Sequence, residues 1–180
     1  MAEAKKKLPQ TTEELVEKVL KVRRVAKVIT GGRRFAFSAL VVVGNNSGSV
    51  GMAQGKSRDV SLAIAKAVKK AKESMIEIPL YKTTVPFGII GKHGASKVVI
   101  RSASKGTGVI AGGAVRAVME AVGVKDILTK SIGSKNPTNV VKATIDALLK
   151  LRAAKKIAYL RGKTVKEMIG VKNDAVEQVK

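Results

Sequence analysis

Three short glycine motifs carry the residues of this chain that could hold a phosphate or take part in catalysis. Gly55-Lys56-Ser57 follows a predicted strand and opens a predicted helix, which is where a phosphate-binding loop would lie. Such a loop needs another glycine five residues before Gly55, and the chain has Val50 there. A loop starting from Gly51 would be too short to wrap a phosphate. We therefore expect Gly55 to shape a turn and Lys56 to face a backbone phosphate or solvent.

The second motif, Gly106-Thr107-Gly108, lies between a predicted strand and a predicted helix, as in a dinucleotide-binding fingerprint. Asp126 follows at roughly the distance of the acidic residue that binds the ribose. However, Asp126 falls at the beginning of the next predicted strand, whereas the fingerprint needs it at the carboxyl end. The segment also lacks the further βα units of such a sheet. We expect a flexible connection, and a small nucleotide-binding enzyme is the alternative.

The third motif, Gly91-Lys92-His93-Gly94, resembles a loop that clamps RNA backbone, but that loop joins helices and this one joins predicted strands. His93 is the only histidine, and the chain has no cysteine, so a zinc site or a cysteine nucleophile is excluded. No serine and aspartate stand near His93 to form a catalytic set. The sequence thus predicts no catalytic residue, no metal, no cofactor and no enzyme activity.

The charge of the chain indicates a polyanionic partner. Its 180 residues carry 35 Lys and Arg against 13 Asp and Glu, a formal net charge of +22. Since 45% of the residues are hydrophobic, the chain is expected to fold rather than to form a disordered basic tail. Aromatic residues make up only 3%, so recognition of structured RNA by shape and phosphate is favoured over base stacking.

The predicted RNA contacts cluster at strand ends and turns in one region, where Arg and Lys can reach phosphates and Gly lets backbone amides approach them. The candidate residues are Arg23, Arg24, Lys27, Thr30, Gly31, Gly32, Arg33, Arg34, Lys56, Arg58, Lys92 and Lys105.

The chain has no apolar run of about 18 residues and no signal peptide. We therefore expect no membrane contact, no secretion and no small-molecule substrate.

Hydrophobic periodicity predicts an α+β fold in two domains. Residues 1–12 form a basic tail, and residues 13–77 form an α-β-β-β-α domain of the double-stranded-RNA-binding type. Its elements are a helix over 13–21, strands over 22–30, 33–43 and 49–53, and a helix from about residue 58 that Ser57 caps. Gly31 and Gly32 are expected to be the two central residues of the first hairpin.

The second predicted domain, residues 78–151, has the order β-β-α-β-α. Its strands are expected over 84–90, 97–102 and 125–132 and its helices over 112–122 and from residue 136, with Gly123 as a left-handed cap. Asn136 and Pro137 are typical of a helix start. Residues 152–180 form a basic extension, in which Thr164 and Glu167 have the spacing of a capping box.

Three segments resemble the bacterial family of small-subunit ribosomal protein five. They are residues 32–51 (GRRFAFSALVVVGNNSGSVG), 105–116 (KGTGVIAGGAVR) and 133–146 (GSKNPTNVVKATID). The resemblance implies a cytoplasmic protein of the small ribosomal subunit that binds ribosomal RNA and braces head against body. It also implies neighbouring proteins four and eight, a role in translational accuracy, and a patch at Gly108 and Arg116 that faces protein four. A non-ribosomal RNA chaperone or double-stranded-RNA binder is a closer alternative to this function than the nucleotide-binding enzyme.

Overall fold

A computed structural model describes residues 15–169, and within that range the strands form two four-stranded sheets. The first sheet has the order β1-β2-β3-β4 with antiparallel neighbours throughout. Its elements are β1 (Val16–Ile29), β2 (Gly32–Gly44), β3 (Ser49–Ser57), α1 (Val60–Glu73) and β4 (Ile76–Glu77).

The second sheet has the order β5-β6-β8-β7, in which only β7 runs parallel to its neighbour β8. The elements of this half are β5 (Ile89–His93), β6 (Ser96–Ser102), β7 (Val109–Ile110), α2 (Gly113–Val122), β8 (Ile127–Gly133) and α3 (Pro137–Lys150). Two short helices follow, α4 (Ala154–Leu160) and α5 (Val165–Ile169). The mixed α+β class predicted from the sequence is therefore confirmed.

Helix α1 packs on the first sheet through small residues. Its buried side consists of Ala63, Ala67 and Ala71. A Cβ on Gly55 would lie 2.1 Å from the Ala63 carbonyl oxygen, and one on Gly51 would lie 2.1 Å from that of Ala71. The backbones of helix and strand therefore touch, which only glycine permits at those two strand positions. Gly55 thus serves helix packing, and β3 continues through it to Ser57 rather than breaking there as expected.

The second half of β2, residues 38–44, is buried on both faces, which explains its nearly continuous apolar run. Ala39, Val41 and Val43 pack against α1. Leu40 and Val42 point to the opposite side and belong to a core shared with α2, α3 and the second sheet. The two sheets are therefore joined by one hydrophobic core that includes the middle of β2.

The helix predicted over residues 13–21 is wrong for residues 16–21, which form the first part of β1. Val16 pairs with Gly44 and Val19 with Val41, so this segment completes the hydrogen-bonded edge of β2. β-Branched valines suit that pairing better than an isolated helical turn. Residues 13 and 14 of the predicted helix and the predicted tail over residues 1–12 lie outside the described residues. The predicted extension over residues 152–180 lies outside them after residue 169.

The structure confirms some of the expected helix ends and corrects others. Helix α1 begins after Asp59, which occupies the capping position without a side-chain capping bond, so the expected cap at Ser57 is wrong. Gly123 ends α2 in the left-handed conformation, and Asn136 caps α3 with Pro137 as its first residue, as predicted. The strand expected over residues 84–90 begins only at Ile89, and α4 was not predicted.

The capping box at the start of α5 is confirmed. The Thr164 backbone N–H donates to Glu167 Oε2 at 3.1 Å, and the Glu167 N–H donates to Thr164 Oγ1 at 3.3 Å. Each side chain thus satisfies a backbone donor that the helix start leaves without a partner. The predicted domain boundaries at residues 12, 77 and 151 stay predictions.

Candidate nucleic-acid interface

The β1–β2 hairpin extends beyond the rest of the first sheet. Strand β3 pairs with β2 only as far as Ser57, which lies opposite Phe37. From there to the turn, β1 and β2 pair with each other alone. We call this two-stranded segment, residues 24–37, the arm. The five residue pairs from Val25–Ala36 to Ile29–Gly32 give it a reach of about 15 Å at the usual rise per strand residue.

The tip of the arm needs glycine for its backbone conformation. Ile29 pairs with Gly32, so the two central turn residues are Thr30 and Gly31, and the expected pair Gly31-Gly32 is displaced by one position. Gly31 has φ +94° and Gly32 has φ +141°, values that residues with a Cβ rarely adopt. A Cβ at either position would meet no atom within 4 Å. Conformation rather than space therefore accounts for both glycines.

The register distributes the predicted contact residues over both faces of the arm. Arg23, Lys27 and Arg34 share one face, because Lys27 lies opposite Arg34 and successive side chains of a strand alternate. Arg24 and Arg33 lie on the other face, which is also the face that carries α1. A polyanion that wraps the arm can therefore meet cations on either side.

Two further predicted residues lie at the base of the arm. Lys56 pairs with Ser38, and Ser38 pairs with Arg23, so these three residues form a row across the sheet. Gln54 Nε2 donates to Ser38 Oγ at 2.7 Å and fixes the centre of that row. Arg58 follows directly after β3. The structure thus brings Lys56 and Arg58 to the arm from a distant part of the sequence.

The arm lies within a long stretch that lacks acidic residues. Between Glu17 and Asp59 the chain has nine Lys and Arg and no Asp or Glu. The ion pairs among residues 15–169 are Lys18–Glu120, Lys72–Glu17, Arg116–Glu120 and Lys150–Asp146, and none of them includes a cation of the arm. The positive field of the arm is therefore uncompensated by the protein itself, which favours a polyanionic partner.

Lys92 and Lys105 lie apart from the arm, in the second half of the fold. Lys92 is exposed on β5 opposite Lys97, and its backbone N–H donates to Asp146 Oδ2 at 2.9 Å. Lys105 is exposed in the loop that precedes β7. Neither candidate lies on the first sheet, so the structure does not group them with the arm.

Sequence reasoning missed three cations beside Lys92. Lys97, Arg101 and Lys130 are exposed on the side of the second sheet away from its helices. The signal was present as the alternation of Lys97, Val99 and Arg101 along β6, with buried residues between them. Tertiary structure was needed to place Lys92 and Lys130 on the same face.

The loop of the dinucleotide-like motif is held by a carboxylate. Asp126 is 4% exposed and its Oδ1 accepts the backbone N–H groups of Gly106 at 2.9 Å and Gly108 at 3.1 Å. The Thr83 hydroxyl and these amides lower the pKa of Asp126 below its ordinary value of 3.8. Asp126 therefore uses the amides that a bound phosphate would require, and the motif serves as a closed turn.

Gly108 and Arg116, the predicted contact with a protein, are brought together at one edge of the second sheet. Arg116 Nη2 donates to the Val109 carbonyl at 2.9 Å, directly after Gly108, which has φ +76°. Arg116 is about half exposed and lies 4.0 Å from Glu120, which also pairs with Lys18 of β1. The half-exposed Arg116 side chain and the Gly108 loop therefore lie together at the surface, where a partner could contact both.

His93 ends β5 opposite Ser96, at a turn whose Gly94 has φ +55°. Across residues 15–169, no three side chains of the metal-binding types lie close enough together to hold an ion. None of the helices in that range is long and apolar enough to cross a membrane.

The fold and the arm define a class, a cationic α+β protein whose projecting hairpin presents positive charge to a polyanion. Comparison with known proteins names the family. The family model for the N-terminal domain of ribosomal protein S5 matches residues 15–79, and the model for its C-terminal domain matches residues 91–161.

Two curated relatives agree with both matches. The small ribosomal subunit protein uS5 of Syntrophobacter fumaroxidans (strain DSM 10017 / MPOB) is 54% identical over 155 residues, covering 86% of this chain and 93% of the relative. That of Lawsonia intracellularis (strain PHE/MN1-00) is 51% identical over 156 residues, covering 87% of this chain and 96% of the relative. The chain belongs to the ribosomal protein S5 family.

Proposed function

We propose that this chain is a structural, RNA-binding protein of the small ribosomal subunit in the cytoplasm, with the arm as its main contact to ribosomal RNA. The observation that carries the proposal is the acid-free stretch between Glu17 and Asp59, which the fold presents as a projecting hairpin. Because the chain belongs to the S5 family, the small ribosomal subunit is the particle in which this hairpin would contact RNA.

The arm can bind RNA through charge and shape. Arg24 and Arg33 on one face and Lys27 and Arg34 on the other can contact phosphates of neighbouring strands. The guanidinium groups can bind a phosphate through two parallel hydrogen bonds. At the tip, Gly31 and Gly32 provide the turn conformation that places Lys27 and Arg33 for these contacts.

The finer role that we propose is to brace the head of the subunit against its body. The shared core of the two sheets supports this role, because it packs Leu40 and Val42 of β2, the strand that continues into the arm, in the same core as Val109 beside Gly108. Gly108 and Arg116 would face protein four, and through that contact the protein would contribute to translational accuracy. Protein eight is the second proposed protein neighbour.

We also propose that the chain performs no catalysis and binds no cofactor. The strongest competing site was the Gly106 loop, and its amides already bind Asp126. The P-loop-like Gly55 packs against α1, where a Cβ would lie 2.1 Å from the Ala63 carbonyl oxygen. Both glycine motifs thus have structural roles that account for their residues.

Sedimentation of a cell lysate tests the proposal. The tagged chain, expressed in a bacterial strain depleted of its own copy, should co-migrate with small subunits. A variant with Lys27, Arg33 and Arg34 changed to Gln should move largely to the top of the gradient. A matched control changes Lys66, Lys69 and Lys70, exposed on α1, to Gln and removes the same charge.

Three outcomes separate the competing functions. The control variant should still enter small subunits, since its cations lie off the arm. If the arm variant enters subunits as well as the parent, the arm is not the principal RNA contact. If the parent sediments with other RNA but never with subunits, the chain acts as a non-ribosomal RNA chaperone.

A further inference from the structure

One face of the arm contains a preformed stack of a cation on an aromatic ring. The guanidinium carbon of Arg24 lies 3.7 Å from the centroid of the Phe35 ring. Arg24 is exposed, and the Phe35 residue is 49% exposed. A guanidinium that lies over one face of a ring leaves its own outer surface free to contact another flat group.

This face is apolar as well as cationic, and beyond the part that α1 covers its side chains stay exposed in residues 15–169. Phe37, two residues nearer to the sheet, packs into the core under α1, whereas Phe35 lies beyond that core. Val28, further along the same face, is 73% exposed, and Arg33 lies opposite it. Exposed apolar groups concentrated on one face mark a binding surface more often than isolated ones do.

We propose that the Arg24–Phe35 stack is a platform for an unpaired nucleobase of the bound RNA. This inference rests on the proposed function, since it requires the arm to contact RNA. A base splayed out of its helix would stack on the Arg24–Phe35 pair, while its own backbone phosphate reaches Arg33. Val28 would cover the apolar edge of the stack.

The chemistry of the face selects a nucleobase over an acidic peptide. A carboxylate needs hydrogen bonds in the plane of the guanidinium, and it gains nothing from the exposed ring and valine beside it. A base has a flat aromatic surface and carries its negative charge at the neighbouring phosphate, so both parts of the face are used. The low aromatic content of the whole chain does not oppose this, because one platform needs one ring.

Fluorescence of 2-aminopurine tests the proposal with the full chain. The base analogue is placed in a single-nucleotide bulge of a short RNA hairpin and, in a second RNA, at a paired position. Stacking on the platform should quench the bulged analogue on saturation, and the paired one should not change. Affinity for the bulged RNA is expected to exceed that for the paired RNA by roughly tenfold.

Three variants separate stacking from charge. Phe35→Leu keeps an apolar side chain without a ring, and Arg24→Lys keeps the charge without the plane. Both should lose the quenching and the preference for the bulge. The affinity of Phe35→Leu for the paired RNA should stay near that of the parent, because Phe35 contacts no phosphate. Lys27→Gln, on the opposite face, should weaken binding to both RNAs and keep the quenching at saturation.

Each other outcome is decisive. If both RNAs bind with salt-sensitive affinity but Phe35→Leu quenches like the parent, the platform is absent and the arm contacts phosphate only. If neither RNA binds, the proposed function itself fails. If polyglutamate binds with an affinity that Phe35→Leu abolishes and RNA does not compete, the face is a protein-docking surface and the inference is overturned.

Discussion

Gly44 and Ala121 are in direct backbone contact, so close that a Cβ on Gly44 would lie 2.0 Å from the Ala121 carbonyl oxygen. That oxygen also accepts the Asn46 N–H at 3.1 Å, and the Val122 carbonyl accepts the Gly48 N–H at 2.9 Å. The last carbonyls of a helix have no partner within the helix. The β2–β3 loop of the first sheet therefore completes α2, which packs in the shared core.

Gly44→Ala should destabilise the protein strongly. The added methyl group must push α2 away from β2, at the contact that joins the two halves of the fold. Forced overpacking of this kind costs about 1–3 kcal/mol, and we expect a value at the upper end because the obstacle is backbone. Urea unfolding followed by circular dichroism measures the loss. A Gly44→Ala protein as stable as the parent would show that α2 can shift at no cost.

Gly113→Ala is the matched control for that substitution. Gly113 is the first residue of α2, its φ is not in the left-handed region, and a Cβ there meets nothing within 4 Å. We therefore expect its stability to equal or slightly exceed that of the parent, as alanine favours the helix.

Asp126→Asn should reduce the loss of stability in acid. Hydrogen bonds from the Thr83 hydroxyl and the amides of Gly108 and Gly106 lower the pKa of Asp126 in the folded protein. The stabilisation they give is thus present above the ordinary pKa of 3.8 and is lost as the pH falls through the lower folded pKa. Thermal unfolding between about pH 6 and pH 2 should show a shallower decline for Asp126→Asn.

The control for the acid experiment is Asp59→Asn. Asp59 is exposed and makes no side-chain capping bond at the start of α1. Its variant should follow the parent over the same pH range. An Asp126→Asn profile parallel to that of the parent would mean that other carboxylates cause the acid loss.

Gly32→Ala should fold but bind RNA poorly. Gly32 has φ +141°, and a residue with a Cβ must strain or rearrange the tip of the arm to replace it. The core does not include the tip, so global unfolding should change by no more than about 1–2 kcal/mol. The rearranged tip should displace Lys27 and Arg33. The affinity for a ribosomal RNA fragment, measured in a filter assay, should therefore fall.

Gly113→Ala again serves as the control, since it adds the same methyl group away from the arm without strain. It should bind the RNA fragment like the parent. Equal affinities of parent and Gly32→Ala would show that the tip is only a connection between β1 and β2.

Lys27→Gln should make RNA binding less sensitive to salt. Each phosphate that a protein neutralises contributes roughly −0.7 to −0.9 to the slope of log affinity against log salt concentration. Removing one contact should therefore reduce the slope by about that amount, measured by filter binding over a salt series. Lys66→Gln, on α1, should leave the slope unchanged, and equal slopes for parent and Lys27→Gln would remove Lys27 from the interface.

Much of the local structure could be predicted from neighbouring residues alone. The turn at residues 44–48, the left-handed Gly123, the Asn136-Pro137 helix start and the capping box at Thr164 all rest on interactions within a few positions. The charge imbalance was likewise readable, since the gap without acids between Glu17 and Asp59 is a property of the chain order.

The misjudged elements depend on partners far away in the chain. The apolar residues 15, 16, 19 and 20 fit a helical stripe, but residues 16–21 became a strand because the edge of β2 offered them a ladder. The Gly106 motif resembled a phosphate loop until Asp126, 20 residues away, was found bonded to its amides. A local sequence pattern cannot predict such pairings, because the two partners are far apart in the chain and meet only in the folded protein.

The sequence by itself determined the α+β class, the basic character, the family and the glycine turn at the end of the arm. Only the tertiary structure decided that residues 38–44 of β2 are buried on both faces, that the β2–β3 loop caps α2, and that Arg24 stacks on Phe35. The physical reason is the separation along the chain of the residues that interact. Turn conformation and charge are set by adjacent residues, whereas burial, capping between elements and stacking across strands depend on which distant surfaces meet.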